Sequence, residues 1–211
     1  MTDIDAPAPG EELNTGEVTT PRPAATVLLL RGGSETLEVL LIKRNPAARF
    51  MGGAWVFPGG AVDTTEGEGD LANRTAALRE LEEEAAVTLA SPEDLVPWSR
   101  WITPAEVKIR FDTWFFLAPM PPGHPEPRID EQEAVDMGWF TPRGALEAHA
   151  RDEILLVFPT IKTLEQLTPF ATADALLDHA RGRTVAPITP KVVVGADSAR
   201  VVLPGEPGYD D

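Results

Sequence analysis

The chain has no cysteine, a single tyrosine and three histidines among its 211 residues. Without cysteine there are no disulfides, no thiolate zinc sites and no cysteine nucleophile, which suits a reducing compartment; the cytoplasm is the expected location. Positive charge is scarce too, with 18 Lys and Arg against 34 Asp and Glu, a formal charge of -16. Such a chain has little general affinity for nucleic-acid backbones or anionic membranes, so neither is expected as a partner. Long hydrophobic runs are also missing: the aliphatic stretches 27–30 and 39–42 are four residues each, far short of the roughly 18 that a membrane span needs. Residues 1–21 carry Asp3, Asp5, Glu11 and Glu12 but neither Lys nor Arg, unlike a secretory signal, and read as a disordered acidic tail.

What is present is enough apolar material for a core, 43% of the residues, in a length typical of one domain. Aliphatic runs at 26–30 and 37–42, separated by Gly32, Gly33 and Ser34, predict two strands joined by a tight connection. A third short strand at 55–57 is stopped by Pro58, Gly59 and Gly60, and further strands are expected at 100–102, 111–117 and 137–140. Helices are expected at 71–87, 142–149, 158–167 and 172–181, the last ended by Gly182. Strands on both sides of a central helix make an α/β fold, a mixed sheet flanked by helices, the economical architecture. Residues 22–182 form the domain in this reading. Residues 183–211, rich in Pro with short aliphatic pairs, form an extended C-terminal arm that packs on the domain or makes a homodimer contact.

The central helix breaks local rules. Leu71, Leu78, Leu81 and Ala85 fall on one face at about 100° per residue and form its expected core side. Glu80, Glu83 and Glu84 cluster on another face, because offsets of three and four stack side chains. Arg79 stands four residues before Glu83 and can pair with it, leaving Glu80 and Glu84 as a like-charged pair without an evident intrahelical partner. Carboxylates at the negative end of a helix dipole repel it and each other. A solvated acidic face is the plain alternative, but repeated violation of a local rule points to function. Converging carboxylates are the hard oxygen ligands of Mg²⁺ or Mn²⁺, with positions left for water and phosphate.

Gly60, the acidic loop after it and the run Arg79-Glu80-Leu81-Glu82-Glu83-Glu84-Ala85-Ala86-Val87 resemble the signature box of the Nudix hydrolases, preceded here by Phe57-Pro58-Gly59-Gly60. The resemblance implies a Nudix-type α/β/α sandwich and metal-dependent hydrolysis of a nucleoside diphosphate linked to another group. It assigns metal binding to Glu80 and Glu84, with Glu83 as an additional or water-mediated ligand and the Gly60 carbonyl as a backbone ligand, and gives Arg79 the role of orienting the carboxylates. In two places the chain departs from the pattern. Glu66 has the family spacing from Gly60, but the segment from Glu66 to Arg79 is five residues too long, so Glu66 and Asp70 both stand for the upstream acid. The box glycine is Ala86, so the turn after the helix must be made without the residue that most easily takes positive φ. The general base varies within the family; Glu131 and Glu133, before the strand around Trp139, are the candidates here, Glu133 first.

The residues before the box, Arg49, Gly53 and Phe57 with Leu40-Leu41-Ile42-Lys43-Arg44 upstream, are similar to the extra motif of the coenzyme A pyrophosphatase branch. Phe111-Asp112-Thr113-Trp114-Phe115-Phe116 and Trp139-Phe140-Thr141-Pro142 resemble a related branch acting on coenzyme A and acyl-coenzyme A. That resemblance implies release of 4′-phosphopantetheine, acylated or not, and adenosine 3′,5′-bisphosphate. Lys43, Arg44 and Arg49 would supply the phosphate contacts an acidic protein otherwise lacks, with Arg110 and Lys108 further candidates. Hydroxyl-bearing residues of the motif are replaced by Ile42 and Asn45. The alternatives are ADP-ribose, a dinucleotide or a nucleotide sugar as substrate, or a Nudix-fold ligand sensor without catalysis. Trp98, Trp101, Trp114 and Phe115 are either core residues or a platform for adenine; the histidines have no assigned role.

The acid excess is local. Residues 1–21 contribute -5, residues 63–84 contribute -6, residues 126–136 contribute -4 and residues 197–211 contribute -3, which leaves +2 for all the rest. Two of these blocks are terminal. The other two are where metal and base are expected.

Overall fold

In the computed structural model, which describes residues 12–48, 50–194 and 199–210, the first aliphatic run forms β1 (Arg22–Arg31), in the middle of a mixed sheet. The other strands of this sheet are β2 (Glu38–Arg44), β3 (Trp55–Val56), β4 (Gly59–Ala61), β5 (Val96–Ile102), β6 (Phe111–Pro119), β7 (Ala134–Phe140) and β8 (Pro187–Ile188). Their order is β3-β2-β1-β6-β5-β8, with β4 also pairing β1 and β7 also pairing β2. β1 is parallel to β6 and β5 to β8, while the remaining pairs are antiparallel. Four helices cover the sheet: α1 (Gly69–Ala85), α2 (Pro142–Ala150), α3 (Phe158–Leu167) and α4 (Ala173–Ala180).

The two-residue period of β1 explains the layering. Ala25, Val27 and Leu29 face α1, whereas Leu28 and Leu30 face the core shared with α2, α3 and α4. Both faces of the strand are covered, which is why its sequence is a continuous aliphatic run rather than an alternating one. The chain is therefore the expected α/β arrangement with helices on both sides of a mixed sheet.

α1 reaches the sheet through small residues. Ala72, Ala76, Ala77, Leu81 and Ala85 are buried, so its axis lies close to β1 and β4. Of the expected core face, Leu81 and Ala85 are fully buried and Leu78 packs at the edge of the core, but Leu71 is 65% exposed. At 100° per residue Leu71 falls on the side of the helix opposite the buried face, which runs through Ala72, Ala76, Ala77, Leu81 and Ala85 rather than along the expected leucine stripe. The helix also carries Glu84 inward, at 3% exposure.

The terminal segments depart from the sequence expectation. From Glu12 the backbone runs beside residues 106–108, with the Asn14 N–H donating to the Glu106 carbonyl at 2.7 Å and the Lys108 N–H to the Glu12 carbonyl at 2.9 Å. The described part of the expected disordered tail is thus held by main-chain pairing, an interaction that composition does not reveal. At the other end, β8 adds to the edge of the sheet beside β5, and β9 (Lys191–Val194) with β10 (Ala199–Val202) forms an antiparallel ribbon. Val202 is buried, so the arm packs on its own domain.

α1 ends in a left-handed residue that is not glycine: Ala86 has φ 53° and ψ 36°, and its N–H donates to the Glu82 carbonyl at 3.0 Å. The turn missing its usual glycine is therefore made anyway, against the steric preference of an L side chain. Ala86 is exposed, so no packing is lost on removing its methyl group. Ala86→Gly is expected to raise the unfolding free energy by about 0.5–1 kcal/mol, the relief of left-handed strain less the added chain entropy of glycine. Chemical denaturation of the two proteins measures it.

Candidate active site

The last two turns of α1 face β4 across a narrow gap, and this juxtaposition builds the site. The backbone N–H of Gly59 donates to Glu84 Oε2 at 2.8 Å. Gly60 lies against the Glu80 carboxylate so closely that a Cβ at Gly60 would collide with both of its oxygens. A side chain there would displace the Glu80 carboxylate, a conflict of contact and not of backbone angle.

Arg79 organises the rest. Its Nε donates to Glu66 Oε1 at 3.0 Å, its Nη1 to Glu80 Oε1 at 2.8 Å and to Glu83 Oε2 at 2.9 Å, and its Nη2 to the Ala61 carbonyl at 3.0 Å. Glu80, read from sequence as unpartnered, is held by the adjacent arginine. Of the two candidates for the upstream acid, Glu66 meets Arg79, while Asp70 pairs with Arg74 at 2.6 Å on the outer surface. The Asp63 N–H donates to the other Glu66 oxygen at 2.6 Å, so a single capped turn aims the acid at the arginine, and most of the residues between Glu66 and Arg79 belong to α1.

The electrostatics are strained in one direction. Burial pushes the Glu84 carboxyl up to about 7, helped by the charges of Glu80 and Glu133 and opposed by the Gly59 N–H and by Arg44. Burial also raises Glu80, with Glu83 and Glu133 adding to it and Arg79 opposing. Burial alone would lower Arg79, but its bonds to Glu66 and Glu80 outweigh that and hold it above its usual value.

These residues suit a hard divalent cation. Two carboxylates sit side by side against Gly59 and Gly60, which line a cavity, and among the described residues Glu84 has one cation near it, Arg44, at 4.0 Å. Among the described residues no three acidic or imidazole side chains already enclose an ion. A cation of the Mg²⁺ type needs only one or two protein carboxylates, with water and substrate phosphate completing its shell. Glu80 and Glu84 could supply that pair, with the backbone of Gly60 against Glu80; Glu83 is 58% exposed at its side chain and turned to Arg79.

The other sequence candidates separate. The Glu133 carboxylate lies close enough to raise both Glu80 and Glu84. Glu131 sits exposed in the same turn. Arg44 lines the cavity, with its Nε buried and without a hydrogen-bond partner. Lys43 is the preceding residue of β2, half-buried beside Asp136 and Trp55 in register, and does not line the cavity. Arg49 lies outside the described residues. Arg110 is corrected: its guanidinium donates to the carbonyls of Thr103 at 3.0 Å and Thr19 at 2.6 Å, so it clasps the N-terminal segment instead of facing the site. Lys108 likewise pairs with Glu12 at 2.9 Å.

A cavity of about 790 Å³ opens beside Gly59 and Gly60. Its walls are mostly apolar and include Trp101 and Phe115. Trp98 and Trp114 are elsewhere, the first between Phe170 and Arg183, the second stacked on Phe116 under Arg100. The sequence marked the aromatic residues but gave no sign that Trp101 and Phe115 line a chamber, since its walls come from segments far apart in the chain.

The carboxyl shifts set a proton linkage. Glu84 is largely protonated below its folded value of about 7, and a cation binds the deprotonated form. Mn²⁺ affinity is expected to rise as pH increases toward 7 and to level off above it. Calorimetry in buffers of different ionisation heat should show about one proton released per cation near pH 6 and fewer near pH 8. Gly60→Ala, by displacing Glu80, is expected to weaken that affinity about 10–100-fold, the range for disturbing a ligand's surroundings.

Comparison with known proteins agrees with this construction. The family model described as NUDIX domain matches residues 20–158. A Caenorhabditis elegans protein named nudix hydrolase 7 is 29% identical, over 93% of this chain and 77% of its own length. Human acyl-coenzyme A diphosphatase NUDT19 is 32% identical over 53% of this chain and 31% of its own length. Among solved structures, a NUDIX hydrolase from Alicyclobacillus acidocaldarius superimposes with a TM-score of 0.67 at 27% identity, covering 76% of this chain and 96% of that one. Among the described residues, no helix is long and apolar enough to cross a membrane. With its carboxylate helix set against Gly59 and Gly60, the chain belongs to the Nudix family and is a Nudix hydrolase.

Proposed function

We propose that this hydrolase cleaves the diphosphate bond of coenzyme A and its thioesters, giving 4′-phosphopantetheine, free or acylated, and adenosine 3′,5′-bisphosphate. The observation that carries this reading is that Gly59 and Gly60, which lie against the Glu84 and Glu80 carboxylates, also line a large, mostly apolar cavity. A diphosphate can lie at the floor while a long, weakly polar group attached to it extends along the walls. The local similarity to an acyl-coenzyme A diphosphatase supports the same choice.

Glu80 and Glu84 hold the cation, with the Gly60 carbonyl beside them, and Arg79 and the Gly59 N–H fix the two carboxylates before substrate arrives. Bound there, Mg²⁺ or Mn²⁺ would neutralise phosphate oxygens and acidify a water molecule. Glu133, exposed on the turn opposite, is the group that accepts the proton from the attacking water. Arg44 balances Glu84 and supplies positive charge to the diphosphate. The small-molecule substrate explains why an acidic protein needs no broad basic surface.

The test is a screen of coenzyme A, acetyl-coenzyme A, ADP-ribose, a dinucleoside polyphosphate and a nucleotide sugar with Mg²⁺ and with Mn²⁺, read by product mass. Adenosine 3′,5′-bisphosphate from the first two is expected; AMP from ADP-ribose with no turnover of coenzyme A would contradict the proposal. Glu84→Gln should lower kcat on the order of 10²–10³-fold, as when a group stabilising transition-state charge is lost. Its thermal stability should match the parent or exceed it, because a neutral amide at this buried position removes repulsion from Glu80 and Glu133.

A further inference from the structure

The cavity has a wall that lies outside the residues matching the family model. Beyond 158, α3 contributes Pro159, Thr160 and Ile161, and the C-terminal arm contributes Pro190, Val192 and Val201. The arm is fastened in place. β8 pairs with β5 at Arg100 and Trp101, the Glu106 carboxylate accepts from the Val192 N–H at 3.4 Å, and the Tyr209 hydroxyl donates to the Thr189 carbonyl at 2.8 Å. Leu203, just after β10, packs on the main core, which sets Val201 and its cross-strand partner Val192 at the cavity.

The charged groups lining this chamber are largely engaged. Lys162 is paired with Glu165 at 2.9 Å, and Arg22 lies over the Phe111 ring at 5.1 Å. His149 Nδ1 is engaged with the Ile154 carbonyl at 3.2 Å and the Leu156 N–H at 3.4 Å. A second nucleotide or a sugar would find few free polar groups on these walls. An unbranched apolar chain needs none, and a largely apolar space of about 790 Å³ is within the range that holds small ligands.

We infer that the β9–β10 arm and the start of α3 form a chamber for the apolar tail of the substrate's non-nucleotide half, and that Val192 and Val201 set the chain length accepted. The inference rests on the reading that the Glu80–Glu84 centre cleaves a nucleoside diphosphate, and it names the class of group attached. The enzyme then acts on thioesters made by reactions that join a fatty acid to such a carrier. Each methylene that enters the chamber strengthens binding by up to about fourfold.

The test compares coenzyme A with its acetyl, octanoyl and dodecanoyl thioesters on the full chain, first by binding calorimetry in EDTA and then by kcat/KM with Mn²⁺. The octanoyl thioester is expected to bind at least about tenfold more tightly than the acetyl thioester, since only part of the tail need be buried. Val201→Trp or Val192→Trp should remove most of that gain while leaving coenzyme A within about twofold, a residual change of the size expected from a contact the short substrate does not make. An octanoyl thioester that binds the unaltered protein no better than coenzyme A overturns the inference, whether or not it is hydrolysed. A gain that survives in a folded form of either variant overturns the role of the arm. Turnover of ADP-ribose alone would instead overturn the coenzyme A reading, and a chain-length gain in the EDTA titration would still support the chamber.

Discussion

One guanidinium holds the site together. Arg79 reaches Glu66 from the loop, Glu80 and Glu83 from its own helix, and the Ala61 carbonyl at the end of β4. Without it the 61–66 loop would lose its hydrogen bonds to α1, and Glu80 and Glu83 would repel each other unopposed. Half-buried, the guanidinium keeps its charge because its acceptors more than repay its desolvation. Its planar fork of donors is suited to serving several oxygens at once, which a lysine ammonium is not.

Arg79 leaves Glu84 aside, and that asymmetry is what makes the cluster a binding site. Glu84 is buried, has one main-chain donor, and stands near Glu80 and Glu133, so its carboxyl is held up to about 7. A fully neutralised cluster would be a structural ion-pair network with nothing left to bind. A partly neutralised one favours a cation that brings two charges. The overall acidity therefore reflects a few blocks: much of the excess lies in α1 with its loop and in the segment around Glu133, while the body of the domain is slightly basic.

Much of the architecture can be read from the sequence because it depends on local pattern. The β1 and β2 runs, α3 and the three-and-four spacing of Glu80, Glu83 and Glu84 all appear in the structure where those patterns place them. The remainder depends on contacts between distant segments. Leu71 lies opposite the face of α1 that the alanines bury, and Glu66 reaches Arg79 because a capped turn aims it while most of the residues between the two belong to α1. Arg110 reads as a phosphate ligand, yet it donates to the carbonyls of Thr103, 7 residues away in sequence, and of Thr19, 91 residues away. β4 and β8 are three and two residues long, too short for periodicity to reveal. The cavity was hidden for the same reason: Gly59, Trp101, Ile161 and Val201 become neighbours only in the fold.

The central claim is that Glu80 and Glu84, held by Arg79 and the Gly59 N–H, are the metal ligands. The most direct measurement is an anomalous difference map from crystals grown with Mn²⁺. The expected result is a peak bound by both carboxylates next to the Gly60 carbonyl, with Arg79 still joined to Glu66. A peak at another acidic group, or full Mn²⁺ occupancy elsewhere with Glu84 still engaged only by Gly59, would contradict it.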